Sequence, residues 1–163
     1  MQLVKYIIIY FLLLFVEKNL IHLISIKGIT PDLILIFIII ISLRENKNRS
    51  TVIGFLAGLI QDVFTTGFWG LSALTKSIVG FWGAFFQQPK KRYNLSSYVI
   101  AVSILVLVHE TIFGFIYNIG THLGFFQLVF QFMLPRAFYT SLFAVIIYLI
   151  FKPMLWKSES IVA

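Results

Sequence analysis

The chain has 163 residues, of which 60% are hydrophobic and 12% charged, with a mean hydropathy of +0.96. That balance excludes a water-soluble domain of ordinary composition, which would have too little polar surface to cover it, and fits a polytopic membrane protein whose lipid-facing surface is itself apolar. The absence of cysteine removes disulfides, thiolate nucleophiles and cysteine metal sites, and the net charge of +7 resides in short loops between apolar runs, which argues for topology rather than nucleic-acid binding.

Residues 3–16 form an apolar run resembling the start of a secretory signal, but Glu17-Lys18-Asn19 follows in place of a small-residue cleavage site. The run therefore reads as an uncleaved first helix, short of the ~20 residues a span needs. Leu20 to Ile29 mixes apolar residues with His22, Ser25 and Lys27 and reads as an interfacial segment. Thr30-Pro31-Asp32 is a helix start: threonine can cap, proline is tolerated in the first turn, and aspartate favours the positive end of the helix dipole. The second helix covers 31–43. Its β-branched isoleucines would suit a strand in water, but no open strand edge survives in hydrocarbon.

Arg44 to Arg49 forms a basic loop, and residues 51–64 and 71–86 form a helical hairpin that turns between Gly67 and Gly70. A second basic loop, with Lys90, Lys91 and Arg92, leads into a fifth helix over 95–118. After a turn containing Gly120 and Gly124, the sixth helix covers 127–151, with Lys152-Pro153 expected to end it. Pro135 frees the carbonyl of Gln131 and predicts a kink, with Arg136 beside it to satisfy that group. The expectation is one transmembrane bundle of six helices over 1–152, followed by a short cytoplasmic tail over 153–163. Arg44, Lys47, Arg49, Lys90, Lys91, Arg92, Lys152 and Lys157 share one side of it, and only Lys18 and Lys27 fall on the other, so both termini are expected in the cytoplasm.

Gly54, Gly58 and Asp62 recur every four residues, giving the third helix a small-residue face that leads to a carboxylate. Ala73, Ser77 and Gly80 build a similar face on the return helix, with Lys76 on it. Such faces serve close packing within a chain, the favoured reading, or a groove for a partner helix. Four ionisable residues, Asp62, Lys76, Glu110 and Arg136, fall in the outer halves of their helices. A lone charge at the bilayer centre costs at least ~2.5 kcal/mol, so mutual pairing is expected. Asp62 with Lys76 and Glu110 with Arg136 is the preferred arrangement, and Asp62 with Arg136 and Glu110 with Lys76 remains open. The charges either fix helix packing or contact a partner or ligand.

His109-Glu110 begins a metalloprotease-like string, but Phe113 stands where the second histidine is needed. His22 and His122 have no ligand spacing, and neither a nucleophile elbow nor a phosphate-binding glycine loop is present. No catalytic, metal or cofactor residue is expected.

Pro31-Asp32-Leu33, a basic loop, the block from Gly54 to Asp62, Gly70-Leu71-Ser-Ala-Leu74 and Leu134-Pro135-Arg136 stand in an order that resembles the rod shape-determining protein MreD family. The resemblance implies a six-helix bundle similar to the substrate-binding subunits of energy-coupling-factor transporters, in the bacterial inner membrane. It also implies a non-enzymatic scaffold of the cell-elongation machinery, with no cofactor. Its partners would be the bitopic MreC, the MreB filament system, and the wall-synthesis enzymes RodA and its penicillin-binding protein. Within such a scaffold Pro31, Asp32, Gly67, Gly70 and Leu71 are the expected outer-face partner contacts, and the glycine faces with the short second helix are the expected groove. The rival reading is a substrate-binding subunit of a vitamin-type transporter, its charges lining a pocket to which Gln61, Thr65, Tyr117, Asn118 and Tyr139 contribute.

Overall fold

The computed structural model describes residues 2–19, 23, 25–26, 28–65, 68–88, 93–119 and 124–155. The described residues form six helical runs: α1 (Gln2–Asn19), α2 (Leu33–Ser42), α3 (Lys47–Val63), α4 (Leu71–Gly83), α5 (Leu95–Asn118), and a last run made of α6 (Phe125–Gln127), a π-helical stretch (Leu128–Met133) and α7 (Leu134–Leu155). A 3₁₀ turn, Ala84–Phe86, extends α4. Among the described residues, only α5 and the stretch Leu128–Ile150 are both long and apolar enough to cross a membrane by themselves.

The centre of the fold is α2. Nine of its ten residues are buried, and α1, α3, α4, α5 and α7 all touch it. A helix apolar on every side must be surrounded, which is why the isoleucine run forms a core helix rather than a strand. At ~1.5 Å per residue it is about half as long as a hydrocarbon core is thick, and its ends lie within protein. Its ring of neighbours turns an apolar surface outward: Ile8, Phe11 and Phe15 on α1, Ile100 and Ile104 on α5, and Phe138, Leu142 and Leu149 on α7 are all exposed. Water would penalise that surface and lipid would not.

The α3–α4 hairpin is the most extensive helix pair. Gly58 lies against the backbone of Ser72 and Ala73, Gly54 against Lys76 and Ser77, and Gly80 against Ser50, with no room for a methyl group at any of them. Ser50 Oγ donates to the Gly80 carbonyl at 2.8 Å, and the buried Tyr10 hydroxyl donates to the Ala57 carbonyl at 2.7 Å, tying α1 to the hairpin. Around the far end of the bundle tyrosines do similar work. The Tyr148 hydroxyl donates to Tyr93 O at 2.6 Å, and its ring stacks on Tyr98 with centroids 4.4 Å apart.

Several boundaries differ from expectation. α1 continues through Glu17 to Asn19, because one more turn brings a short apolar run close to spanning length. α3 begins at Lys47, shortening the basic loop, and Lys47 Nζ rests 4.0 Å from the Phe81 ring centre. α7 runs past Lys152-Pro153 to Leu155. The distortion expected near Pro135 takes the form of the π-helical stretch directly before it, a widened turn that gives the proline ring room.

Candidate functional site

The carboxyl ends of α1 and α3, the amino ends of α2, α4 and α7, and the later half of α5 meet at one end of the bundle. Their polar side chains surround a cavity of about 590 Å³, lined by Glu17, Asp32, Gln61, Asp62, Lys76, Glu110 and Arg136 on its polar part and by residues such as Phe113, Tyr117, Phe132 and Met133 on its apolar part.

Asp32 is the hub. As the N-cap of α2, its Oδ1 accepts from the Leu35 amide at 2.6 Å, while its Oδ2 accepts from Lys76 Nζ at 2.8 Å. Its own amide donates to Thr140 Oγ1 at 3.2 Å, so one residue joins α2, α4 and α7. Both charges are out of solvent, Asp32 at 3% exposure and Lys76 at 1%. A carboxylate with two separately used oxygens can cap a helix and bind a cation at once.

The expected Asp62–Lys76 pair therefore does not form. Asp62 caps the return helix instead, Oδ1 accepting from the Ser72 amide at 3.0 Å and Oδ2 from the Ala73 amide at 3.1 Å. Gly70, with φ of 88°, turns the chain so that these amides face the carboxylate. Two orphan donors of a buried helix start are satisfied by one anion at the positive end of the dipole. Asp62→Ala is expected to lower stability by about 1–2 kcal/mol and Asp62→Asn by less, since an amide oxygen can still accept one of the bonds; thermal unfolding in detergent checks the order.

Glu110 and Arg136 are neighbours, with Arg136 Nε 3.6 Å from Glu110 Oε1, too long for a hydrogen bond. Arg136 also lies 4.0 Å from Asp32 Oδ2 and 5.5 Å from the Phe113 ring centre. His109 is fully buried, its Nδ1 3.4 Å from Glu110 Oε1 and its ring stacked on Phe113.

Glu17, which the sequence places just beyond the first helix, belongs to this cluster. Its carboxylate accepts from Gln61 Nε2 at 2.7 Å and from the Ile34 amide at 3.3 Å. The signal for it was length: a fourteen-residue run is too short to span, so the helix had to take in the charged turn after it. Of the expected pocket contributors, Gln61, Thr65 and Tyr117 line the cavity, whereas Asn118 and Tyr139 do not.

Two groups of expected contacts are buried inside the chain. Gly54, Gly58, Ala73 and Gly80 are consumed by α3–α4 packing, while Ser77 is half-buried with its hydroxyl donating to Leu74 O at 2.7 Å, so neither the hairpin faces nor α2 offers an open groove. Pro31, Asp32 and Leu71 are likewise buried, and Gly67 lies outside the described residues. What remains at the surface of that loop is Phe68 and Trp69, 48% and 77% exposed, beside the half-buried Gly70.

No curated protein and no solved structure matches the chain. The family described as rod shape-determining protein MreD matches residues 1–157, nearly the full length, carrying with it Asp32, Asp62, Lys76, Glu110 and Arg136, and the chain belongs to that family.

Proposed function

We propose that this chain is a scaffold of the elongation machinery that binds an MreC-like bitopic protein and, directly or through it, links MreB filaments to RodA and its penicillin-binding protein. The observation that carries this is the family match over residues 1–157. Membership places the protein in the cell-shape machinery of the inner membrane and among non-enzymatic proteins. The six helical runs are inferred to be six spans with both termini cytoplasmic, arranged like the substrate-binding subunits of energy-coupling-factor transporters. Short α2 is compatible with this because non-spanning ends are tolerated where they are wrapped in protein.

With the glycine faces occupied, the partner helix docks on the outward apolar surface, and the exposed Trp69 beside Gly70 is the outer-face contact. Aromatic side chains at a membrane boundary suit such a role. A photoreactive residue at position 69 is expected to crosslink an MreC-like protein that also co-purifies from native membranes in mild detergent; crosslinks to lipid alone, with no such protein recovered, would overturn the reading. The cavity of about 590 Å³ favours a second reading, a vitamin-type transporter subunit, within the range of small-molecule sites. Recovery of a coupling subunit with its ATPases in the same purification would replace the scaffold by it.

A further inference from the structure

Most of the charged groups lining the cavity are answered within the chain. Asp32 holds Lys76 at 2.8 Å, Arg136 Nε and His109 Nδ1 lie 3.6 and 3.4 Å from Glu110 Oε1, and Asp62 takes two amides at the positive end of α4. Glu17 differs from them, with no ion-pair partner among the described residues. Lys18 follows it in sequence, but adjacent residues of a helix do not face each other, and Lys18 Nζ donates to the Phe64 carbonyl at 3.1 Å.

The donors that Glu17 does have are amides. Gln61 Nε2 lies 2.7 Å from its Oε1 and the Ile34 amide 3.3 Å from its Oε2, whereas a carboxylate has sites for about four hydrogen bonds. Ile34 belongs to the first turn of α2, which Asp32 already caps; two carboxylates therefore meet that helix start, and Lys76 is held by the other one. Glu17 is half-buried and lines the cavity, so its uncompensated charge faces open space. The carboxylate also fixes the Gln61 amide, whose nitrogen must face it. The oxygen of that amide is left without a donor, in a residue 6% exposed. One wall of the cavity thus lacks a positive charge and a hydrogen-bond donor in the same place, a state that buried polar groups rarely keep.

A metal ion does not fit this wall, because among the described residues no three carboxylate or imidazole groups come close enough to hold one. A guanidinium fork wants both carboxylate oxygens free side by side, and here each already accepts an amide. A primary ammonium is a compact charge with three N–H donors that can serve acceptors singly. Phe68, Phe113, Tyr117 and Phe132 on the apolar part of the cavity suit the methylene stem behind such a group.

We propose that the cavity is a site for a primary ammonium on an alkyl stem, received by Glu17 with Gln61 as its second acceptor. The group can be the side chain of a lysine in a partner polypeptide or a soluble alkylamine. The site does not depend on the scaffold role, so its failure would leave the co-purification result untouched.

The full chain in mild detergent is titrated at equal ionic strength with butylammonium, butylguanidinium, butyltrimethylammonium and sodium chlorides, and thermal unfolding is followed. Butylammonium is expected to raise the unfolding temperature. The guanidinium, the trimethylated form, which has no N–H, and sodium should each act at least about tenfold more weakly. Glu17→Gln keeps an oxygen for the Gln61 or Ile34 donor but loses the charge, and should weaken butylammonium about tenfold. The comparison among the four salts uses the unaltered protein and stands even if that variant does not fold. Carbodiimide coupling in native membranes then separates the sources: Glu17 joined to a lysine of a second polypeptide assigns the partner, and Glu17 joined to a small amine assigns the soluble one. No stabilisation by butylammonium, equal stabilisation by any of the other three salts, or full retention of the effect in folded Glu17→Gln would overturn the proposal.

Discussion

Replacing Lys76 by methionine is expected to destabilise the protein by about 3–5 kcal/mol, because it leaves Asp32 as an uncompensated charge in the interior. Asp32 is 3% exposed and its Oδ2 has Lys76 Nζ at 2.8 Å; the Arg136 guanidinium, 4.0 Å away, is a distant substitute. The double variant Asp32→Asn with Lys76→Met should recover most of the loss. Asparagine still offers an oxygen to the Leu35 amide, so the cap of α2 survives, and no charge remains to be desolvated. Thermal unfolding of the purified chain and its accumulation in membranes both report on this. If the single and double variants lose stability equally, the ion pair is not what Lys76 supplies. Asp32→Asn alone is the complementary case, stranding Lys76 at 1% exposure, and it too should cost more than the double change.

Gly58→Ala and Gly54→Ala should each cost about 1–3 kcal/mol, at the upper end for Gly58. The added methyl would meet main-chain atoms in both places: the Ser72 carbonyl and Ala73 Cα from Gly58, and the Lys76 carbonyl from Gly54. Backbone cannot swing aside like the end of a long side chain, so the helices must separate. Separation at Gly58 would also pull the Ser72 and Ala73 amides from Asp62, which couples packing to the cap of α4. Gly124→Ala is the control, since nothing lies within 4 Å of the position, and it should change stability by less than about 0.5 kcal/mol. Equal effects at all three glycines would mean that α3 and α4 are not in such close contact.

The hairpin was legible because its information is local. Glycines four residues apart identify a close-packing face, and the short linker between two apolar runs brings the helices back to back. The isoleucine run of α2 was legible as a helix for the same reason, since hydrocarbon leaves an isolated strand nowhere to place its amides. Membrane character followed from composition alone.

The partners of the buried charges were decided elsewhere. Asp62 and Lys76 lie on the packed faces of adjacent helices, and pairing them is sound as long as those two helices are considered alone. In the fold, the start of α4 presents free amides that take both oxygens of Asp62, while α2 enters the middle of the bundle with a carboxylate at its cap. Sequence identified Asp32 as a helix start but carried no sign that this start would be buried, because burial depends on which five elements surround it. Glu17 shows the same division: its chemistry was plain, its neighbours Gln61 and Ile34 were not. By itself, then, the sequence determined an all-helical membrane chain, a glycine-packed hairpin and four of the charged residues that the fold gathers, Asp62, Lys76, Glu110 and Arg136, without Asp32 and Glu17. Only the tertiary structure decided which carboxylate meets which donor, because that depends on the packing of helices far apart in the chain, and a buried charge takes whichever partner this packing brings within reach.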